Sequence, residues 1–365
     1  MREAMKKVLF ATSALVAFAG AASAEVAVSG DARIGMRYDS DLCANAACTE
    51  TDSAWNVVNR ARVKFTMTGT SDSGLEFGAE VRAEEAQRAR YGSQISIDET
   101  DGTVVNSYAI RNNLSADKGL VWVSGSYGKL TAGDIDSGME NALGDLPEIG
   151  MSGLDYLNEF GYSSSDFDDS VYSEAGLLYE YSINGVKLFA SFMDQNIGYS
   201  AIDRDNNAYS LGAKYEMAGY EFGFGYEKSD FYIDPVGFEG GAYENTSWGI
   251  SAATVFNEVK VKGIYMTTTV EDIPTLTGDL DVDQFGVGAE YTMANGVGLA
   301  GYWRRVAYDT PADEFSADVV GLGASYDLGG GATLKGGVVN VSGDDTLGED
   351  LADRTMADFG LVFKF

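Results

Sequence analysis

The sequence predicts an all-β fold, a 16-stranded antiparallel transmembrane β-barrel with an inward-folded third loop. Three observations predict it. The chain opens with an export leader, it alternates with period two in run after run, and its connections are short and long in turn. No later stretch has the length and apolarity of a membrane-spanning helix. An exported chain of this kind enters a membrane only as a closed barrel, the other structure that satisfies its own backbone in lipid.

Residues 1–24 read as a secretory signal peptide. Arg2, Lys6 and Lys7 form a basic start, Val8 to Gly20 an apolar run too short for an anchor, and Ala22-Ser23-Ala24 a cleavage site. The mature chain, 25–365, then reads as one barrel without a second domain or linker. The formal net charge is −31, and removing the basic leader makes the remainder more acidic still. Such a field excludes nucleic acid as a partner. It fits acids that line water or bind cations. Cys43 and Cys48 are the only cysteines, and export to an oxidising compartment favours a small disulfide loop. A metal pair is the weaker alternative, because the chain has no histidine.

The runs justify the strands in order. In 25–38, Val26, Val28, Ile34, Met36 and Tyr38 alternate with Ser29, Asp31, Arg33 and Arg37. In 56–70, Ala61, Val63, Phe65 and Met67 alternate with Arg60, Arg62, Lys64 and Thr66. In 74–84, Leu75, Phe77, Ala79 and Val81 alternate with Glu76, Glu80 and Arg82. The runs 119–127, 129–134 and 172–181 are the weakest. Then come 185–194, 207–216, 219–228, 245–255, 258–267, 282–291, 296–306, 318–326, 332–341 and 355–365. Within this series Leu211-Gly212-Ala213-Lys214-Tyr215, Val287-Gly288-Ala289-Glu290-Tyr291 and Leu322-Gly323-Ala324-Ser325-Tyr326 repeat one hairpin pattern. The last run alternates up to a terminal Phe365 and is placed to pair with the first, which removes both edges.

Whether the apolar face meets protein or lipid is decided by the connections. Ser71–Gly74, Ser182–Asn184, Met217-Ala218, Phe256-Asn257, Thr292–Asn295 and Asp327–Gly331 are short. The connections 39–55, 85–118, 135–170, 195–206, 229–244, 268–281, 307–317 and 342–354 are long. Short turns at one end and long loops at the other are the pattern of a membrane barrel. All four prolines fall in the long loops. Tyr181, Tyr215, Tyr220, Tyr291 and Tyr326 stand where strands meet short turns, as an interfacial girdle requires.

With the apolar face toward lipid, the other face lines a lumen. Arg33, Arg37, Arg60, Arg62 and Lys64 then point inward, with Arg82 beside them. Like charges side by side on a sheet repel, so such a cluster needs water or facing acids. The third long loop, 135–170, supplies acids, among them Glu140, Asp145, Glu148 and Asp155. A basic wall opposite an acidic loop puts a transverse field across a wet constriction, the means by which pores select ions. Asp166, Asp168, Asp169 and Asp344-Asp345 also offer oxygen ligands for calcium, without a complete calcium-loop motif. Catalysis is disfavoured: there is no histidine for a triad, no nucleophile elbow and no phosphate loop.

Several segments resemble the Rhodobacter-type general porins of alphaproteobacteria. They are Glu25-Val26 with Ser29 to Arg33, Phe65 to Thr70, Ser73 to Ala79, Gly133-Asp134, Leu143 to Leu146 with Glu148 and Gly150, Gly321 to Gly331, and the Phe363-Lys364-Phe365 end. The resemblance implies a homotrimer in the outer membrane of a Gram-negative cell. It implies passive diffusion of small hydrophilic solutes and ions past an inward loop, no required cofactor, and calcium held by loop acids. It carries the constriction role onto Arg33, Arg60, Arg62, Asp145 and Glu148. The long 85–118 loop, the Cys43/Cys48 pair and Pro147 depart from the pattern. A substrate-specific uptake channel and a plugged adhesin on the same barrel are the competing expectations.

Overall fold

The computed structural model describes residues 25–43, 51–87, 94–97, 104–107, 115–162, 176–194, 207–233, 241–271, 273, 278–311, 314–344 and 350–365. The leader, Cys48 and the second half of the third loop lie outside them. The strands are β1 Glu25–Cys43, β2 Thr51–Thr70, β3 Glu76–Gln87, β4 Gln94–Ile97, β5 Val104–Ser107, β6 Ser115–Gly125, β7 Gly128–Gly133, β8 Gly176–Ile183, β9 Val186–Asp194, β10 Asn207–Met217, β11 Tyr220–Ile233, β12 Gly241–Phe256, β13 Val259–Glu271, β14 Leu280–Thr292, β15 Val297–Asp309, β16 Glu314–Gly329, β17 Ala332–Asp344 and β18 Asp350–Lys364.

Sixteen of these form one closed antiparallel barrel, as the sequence predicts. The remaining two, β4 and β5, pair as a small ribbon inside the 85–118 connection, a stretch whose sequence predicts only loop. Closure is made by β1 against β18, with Asp31 opposite Lys364 and Asp39 opposite Met356. At the seam the Phe365 amide donates to the Gly30 carbonyl at 2.9 Å. With every strand paired on both sides, no barrel edge is left open.

The short turns after β8, β10 and β12 lie one or two residues later in the chain than the alternation suggests: the strand before each turn ends later and the strand after it begins one residue later. The turn residues are Asn184-Gly185, Ala218-Gly219 and Asn257-Glu258, all with positive φ. Two residues of positive φ give the mirror-image hairpin turn, whose twist matches that of the strands it joins. Apolar side chains of alternate parity, such as Val28, Ile34, Val57, Leu211, Phe222, Phe224, Leu322 and Phe359, stand exposed on the outer surface. Tyr215, Tyr220 and Tyr326 share that surface close to the short turns.

The buried hydrophobic core lies inside the barrel. Met139, Leu143, Leu146, Ile149, Leu154, Phe160 and Tyr162 of the third loop pack on Ile264, Met266, Tyr302, Val319, Val339 and Met356 of the wall. Inner-facing positions are therefore apolar where the loop covers them. A simple rule of polar-inside alternation does not anticipate this.

Candidate functional site

The loop enters the lumen through a capped helical turn, α1 Gly138–Leu143. Ser137-x-x-Glu140 has the spacing of a capping box, and the Ser137 hydroxyl accepts the Glu140 amide at 3.0 Å. The next free amides are satisfied by the wall. Gly138 N–H donates to Ser191 Oγ at 2.9 Å, and Met139 N–H donates to Ser210 Oγ at 2.7 Å. Met139, Ala142 and Leu143 face the wall and are fully buried. They approach this closely because the wall beneath them is glycine. A Cβ on Gly212, Gly223 or Gly225 would fall on the Gly138 carbonyl, the Ala142 carbonyl or the Met139 side chain.

The outgoing limb then crosses the inner faces of β14, β16 and β17 at Pro147, Ile149 and Gly150. Its tip is anchored by one buried carboxylate on β18. Asp358 accepts the Met151 amide at 2.9 Å, the Ser152 amide at 2.6 Å and the Ser152 hydroxyl at 2.6 Å. Arg33 donates to the Met151 carbonyl at 3.4 Å.

Leu154, Asp155 and Tyr156 follow in a turn of positive φ, a conformation that costs non-glycine residues energy. The turn is held from β1 and β18. Asp155 pairs with Arg37 at 2.7 Å and with Arg354 at 3.1 Å, and Arg354 also pairs with buried Asp39 at 2.7 Å. Burial alone would raise the Asp155 pKa, but the two guanidinium groups outweigh it and hold the carboxyl below its ordinary value.

The return limb is braced to the outgoing one. Phe160 N–H donates to Asp145 Oδ1 at 3.0 Å, Asn158 Nδ2 to the Leu146 carbonyl at 2.9 Å, and the Tyr162 hydroxyl to the Gly144 carbonyl at 2.8 Å. Arg304 on β15 donates to the Leu157 carbonyl at 3.2 Å and lies over the Phe160 ring at 5.1 Å. Burial raises the Asp145 pKa, partly offset by the Phe160 amide and by Lys262 and Arg304. Burial also drives the Tyr162 hydroxyl well above its ordinary value, with Asp145 and Glu140 adding to the shift.

The predicted residues are therefore distributed as follows. Arg33, Arg60, Arg62 and Lys64 share the inner face of β1 and β2, Arg33 directly opposite Arg60. Three of the cations are matched by wall acids: Arg60 by Asp31 at 2.8 Å, Arg62 by Glu84, and Lys64 by Glu80 at 3.2 Å. Arg37 is brought to Asp155 directly, while Asp145 feels Lys262, and Glu148 lines one cavity with Lys260 and Lys262. In the strand order, β2 and β3 stand half a barrel away from β12 and β13, the strands that carry the loop around Leu143 and Asp145. The charged faces of β2 and β3 thus lie across the barrel from that part of the loop, while Arg33 and Arg37 of β1 touch its tip.

Lys262, Arg304, Arg354 and Asp358 are not singled out by the sequence. Their signal is parity. Lys262 is in phase with Ile264 and Met266, Arg304 with Tyr302, and Arg354 and Asp358 with Met356. Among the described residues no group of three or more acids is placed to hold a metal. Asp166, Asp168, Asp169 and Asp345 lie outside the described residues, as does the proposed Cys43–Cys48 bond.

Comparison with known proteins adds a family. The profile of the Gram-negative porins matches residues 11–346. A porin of Rhodobacter capsulatus is 32% identical over 322 residues, 76% of this chain and 93% of that protein. A solved porin structure refined at 1.8 Å resolution aligns with TM-score 0.67 and 29% identity, covering 93% of this chain and 100% of that one. The trimer form of OmpT, an outer membrane protein of Vibrio cholerae, aligns with TM-score 0.66 at 11% identity over 94% of this chain and 99% of its own. At that identity the likeness shows the fold alone.

Proposed function

The chain belongs to the Gram-negative porin family, and from that premise we propose how its channel is narrowed. The protein is an outer-membrane general diffusion channel. Its constriction is formed by the third loop and by the basic wall of Arg33, Arg37, Arg60, Arg62 and Lys64, of which Arg33 and Arg37 meet the loop tip and Arg60, Arg62 and Lys64 stand away from it. Glu140, Asp145, Glu148 and Asp155 are the acids of the loop. The observation that supports this reading is the run of loop contacts from Ser191 on β9 to Asp358 on β18 and Arg37 on β1, opposite the charged faces of β2 and β3. A segment held over that span takes up lumen and leaves solutes the charged side. Paired wall cations and excess loop acids give a mild cation preference.

The signal peptide at 1–24 and a homotrimeric assembly belong to the same reading. The Vibrio cholerae protein of the same fold has a trimer form, which supports the assembly. Calcium bound by the outer loop acids is a further part, checked by the effect of chelation on the heat stability of the purified protein.

Planar-bilayer recording in a salt gradient tests the channel. Stepwise, weakly selective conductance with a reversal potential of cation sign is expected. Insertion without conductance overturns the reading in favour of a plugged barrel. Small conductance blocked by one solute class overturns it in favour of a specific channel.

A further inference from the structure

Two charges that face one cavity make no direct ion pair or hydrogen bond among the described residues. Between loop residues 145–148 and the inner faces of β11 to β14 lies a cavity of about 240 Å³. Its charged lining is Asp145, Glu148, Glu221, Lys260, Lys262 and Glu290. Four of these are already matched. Lys260 pairs with Glu290 at 3.4 Å, Glu221 with Lys214 at 3.4 Å, and Asp145 accepts the Phe160 amide at 3.0 Å.

Lys262 and Glu148 are different. Neither has an ion pair or hydrogen bond among the described residues, and they do not pair with each other. Lys262 is half-buried, its ammonium beneath Gly144 at the end of α1. Asp145 attracts the ammonium from a distance but does not contact it. Taking an ammonium partly out of water without a contacting carboxylate costs free energy, so the arrangement favours a solute that supplies one. Glu148 offers the complementary charge from the loop.

We propose that this cavity is a transient binding site for small dipolar solutes that carry a carboxylate and an ammonium on one skeleton, such as neutral α-amino acids. The carboxylate meets Lys262 and the ammonium meets Glu148. A monovalent ion satisfies only one of the two groups, and an uncharged polyol satisfies neither charge. The site raises the local concentration of dipolar solutes beside the constriction, and it binds weakly enough to release them. This inference rests on the reading of the chain as a channel.

The test is swelling of proteoliposomes in alanine and in erythritol, an uncharged polyol of similar size. At low solute concentration the native protein should pass alanine faster by about two- to fivefold, the range a half-exposed ion pair sustains in water. Lys262→Met and Glu148→Gln should each bring the two rates together. Exchange of the charges, Lys262→Glu with Glu148→Lys, should restore the preference, because a dipole can enter either way round. An alanine-to-erythritol ratio unchanged in both single variants overturns the site. A ratio lost in the single variants and not restored by the exchange overturns the two-point contact. Native protein that passes neither solute overturns the channel reading itself, and the erythritol rate reports whether each variant has folded into a channel.

Discussion

Asp145 and Asp155 show how two carboxylates of one loop acquire opposite character. Asp155 sits between Arg37 and Arg354 and stays ionised to lower pH than an ordinary aspartate. Its contribution to holding the tip is present above the unfolded value of about 3.9 and fades as pH falls through the lowered folded value. Asp145 is shifted the other way by burial, so its charge disfavours the folded loop at neutral pH and is lost first on acidification. Cation preference should therefore weaken as pH falls from neutral toward about 4, before ordinary carboxylates titrate. Reversal potentials across that window check this. Asp145→Asn should flatten its upper part, and Asp155→Asn should not. Both acids are visible in the sequence, but their environments are not, because the groups that shift them lie on β1, β13, β15 and β18 or across the folded loop.

At the scale of the element, the loop is positioned by two devices. Serines of β9 and β10 and a glycine floor receive α1, and Asp358 receives the tip. Asp358→Ala leaves the Met151 and Ser152 amides without an acceptor in a buried place, a cost of about 1–3 kcal/mol. The tip should loosen while the barrel persists. Hydrogen exchange should rise at 149–156 and not at β12 to β17, and the size limit for sugars in liposome swelling should increase. Exchange confined to its native level would show that the remaining contacts hold the tip alone. The sequence marks the loop by its interrupted alternation and marks α1 by Ser137 and Glu140. It does not mark Asp358, since an acid at an inward position of a strand reads as one more lumen charge.

At the scale of the whole molecule, the barrel is held by closure, and the interior of the lumen carries the hydrophobic core. β18 is shared by β17 and β1 and also holds the loop tip through Asp358. Deleting 359–365 should remove closure along the β1 seam from Asp31 to Met36 and expose two strand edges. The truncated chain should fail to give the heat-sensitive fast-migrating band that a folded barrel shows on unheated gels. A normal band would show that β17 and β1 pair without it.

What the sequence by itself determined is the barrel: its strand count, its two kinds of connection, its outward face and the seam at Phe365. These follow from period-two alternation and turn chemistry, which are local and written residue by residue. It also separated the third loop from the others and put Arg33, Arg37, Arg60, Arg62 and Lys64 on one face. Only the tertiary structure decided which charges meet. Arg60, Arg62 and Lys64 turn to Asp31, Glu84 and Glu80 on their own wall, whereas Arg37 and Arg354 reach Asp155, and Lys262 stands by Asp145 in a cavity that Glu148 also lines. The physical reason is that pairing across a lumen depends on where a 28-residue stretch of loop, 135–162, is laid against strands as distant in sequence as β18, as in the contact of Ser152 with Asp358 (a separation of 206). No local periodicity encodes that contact.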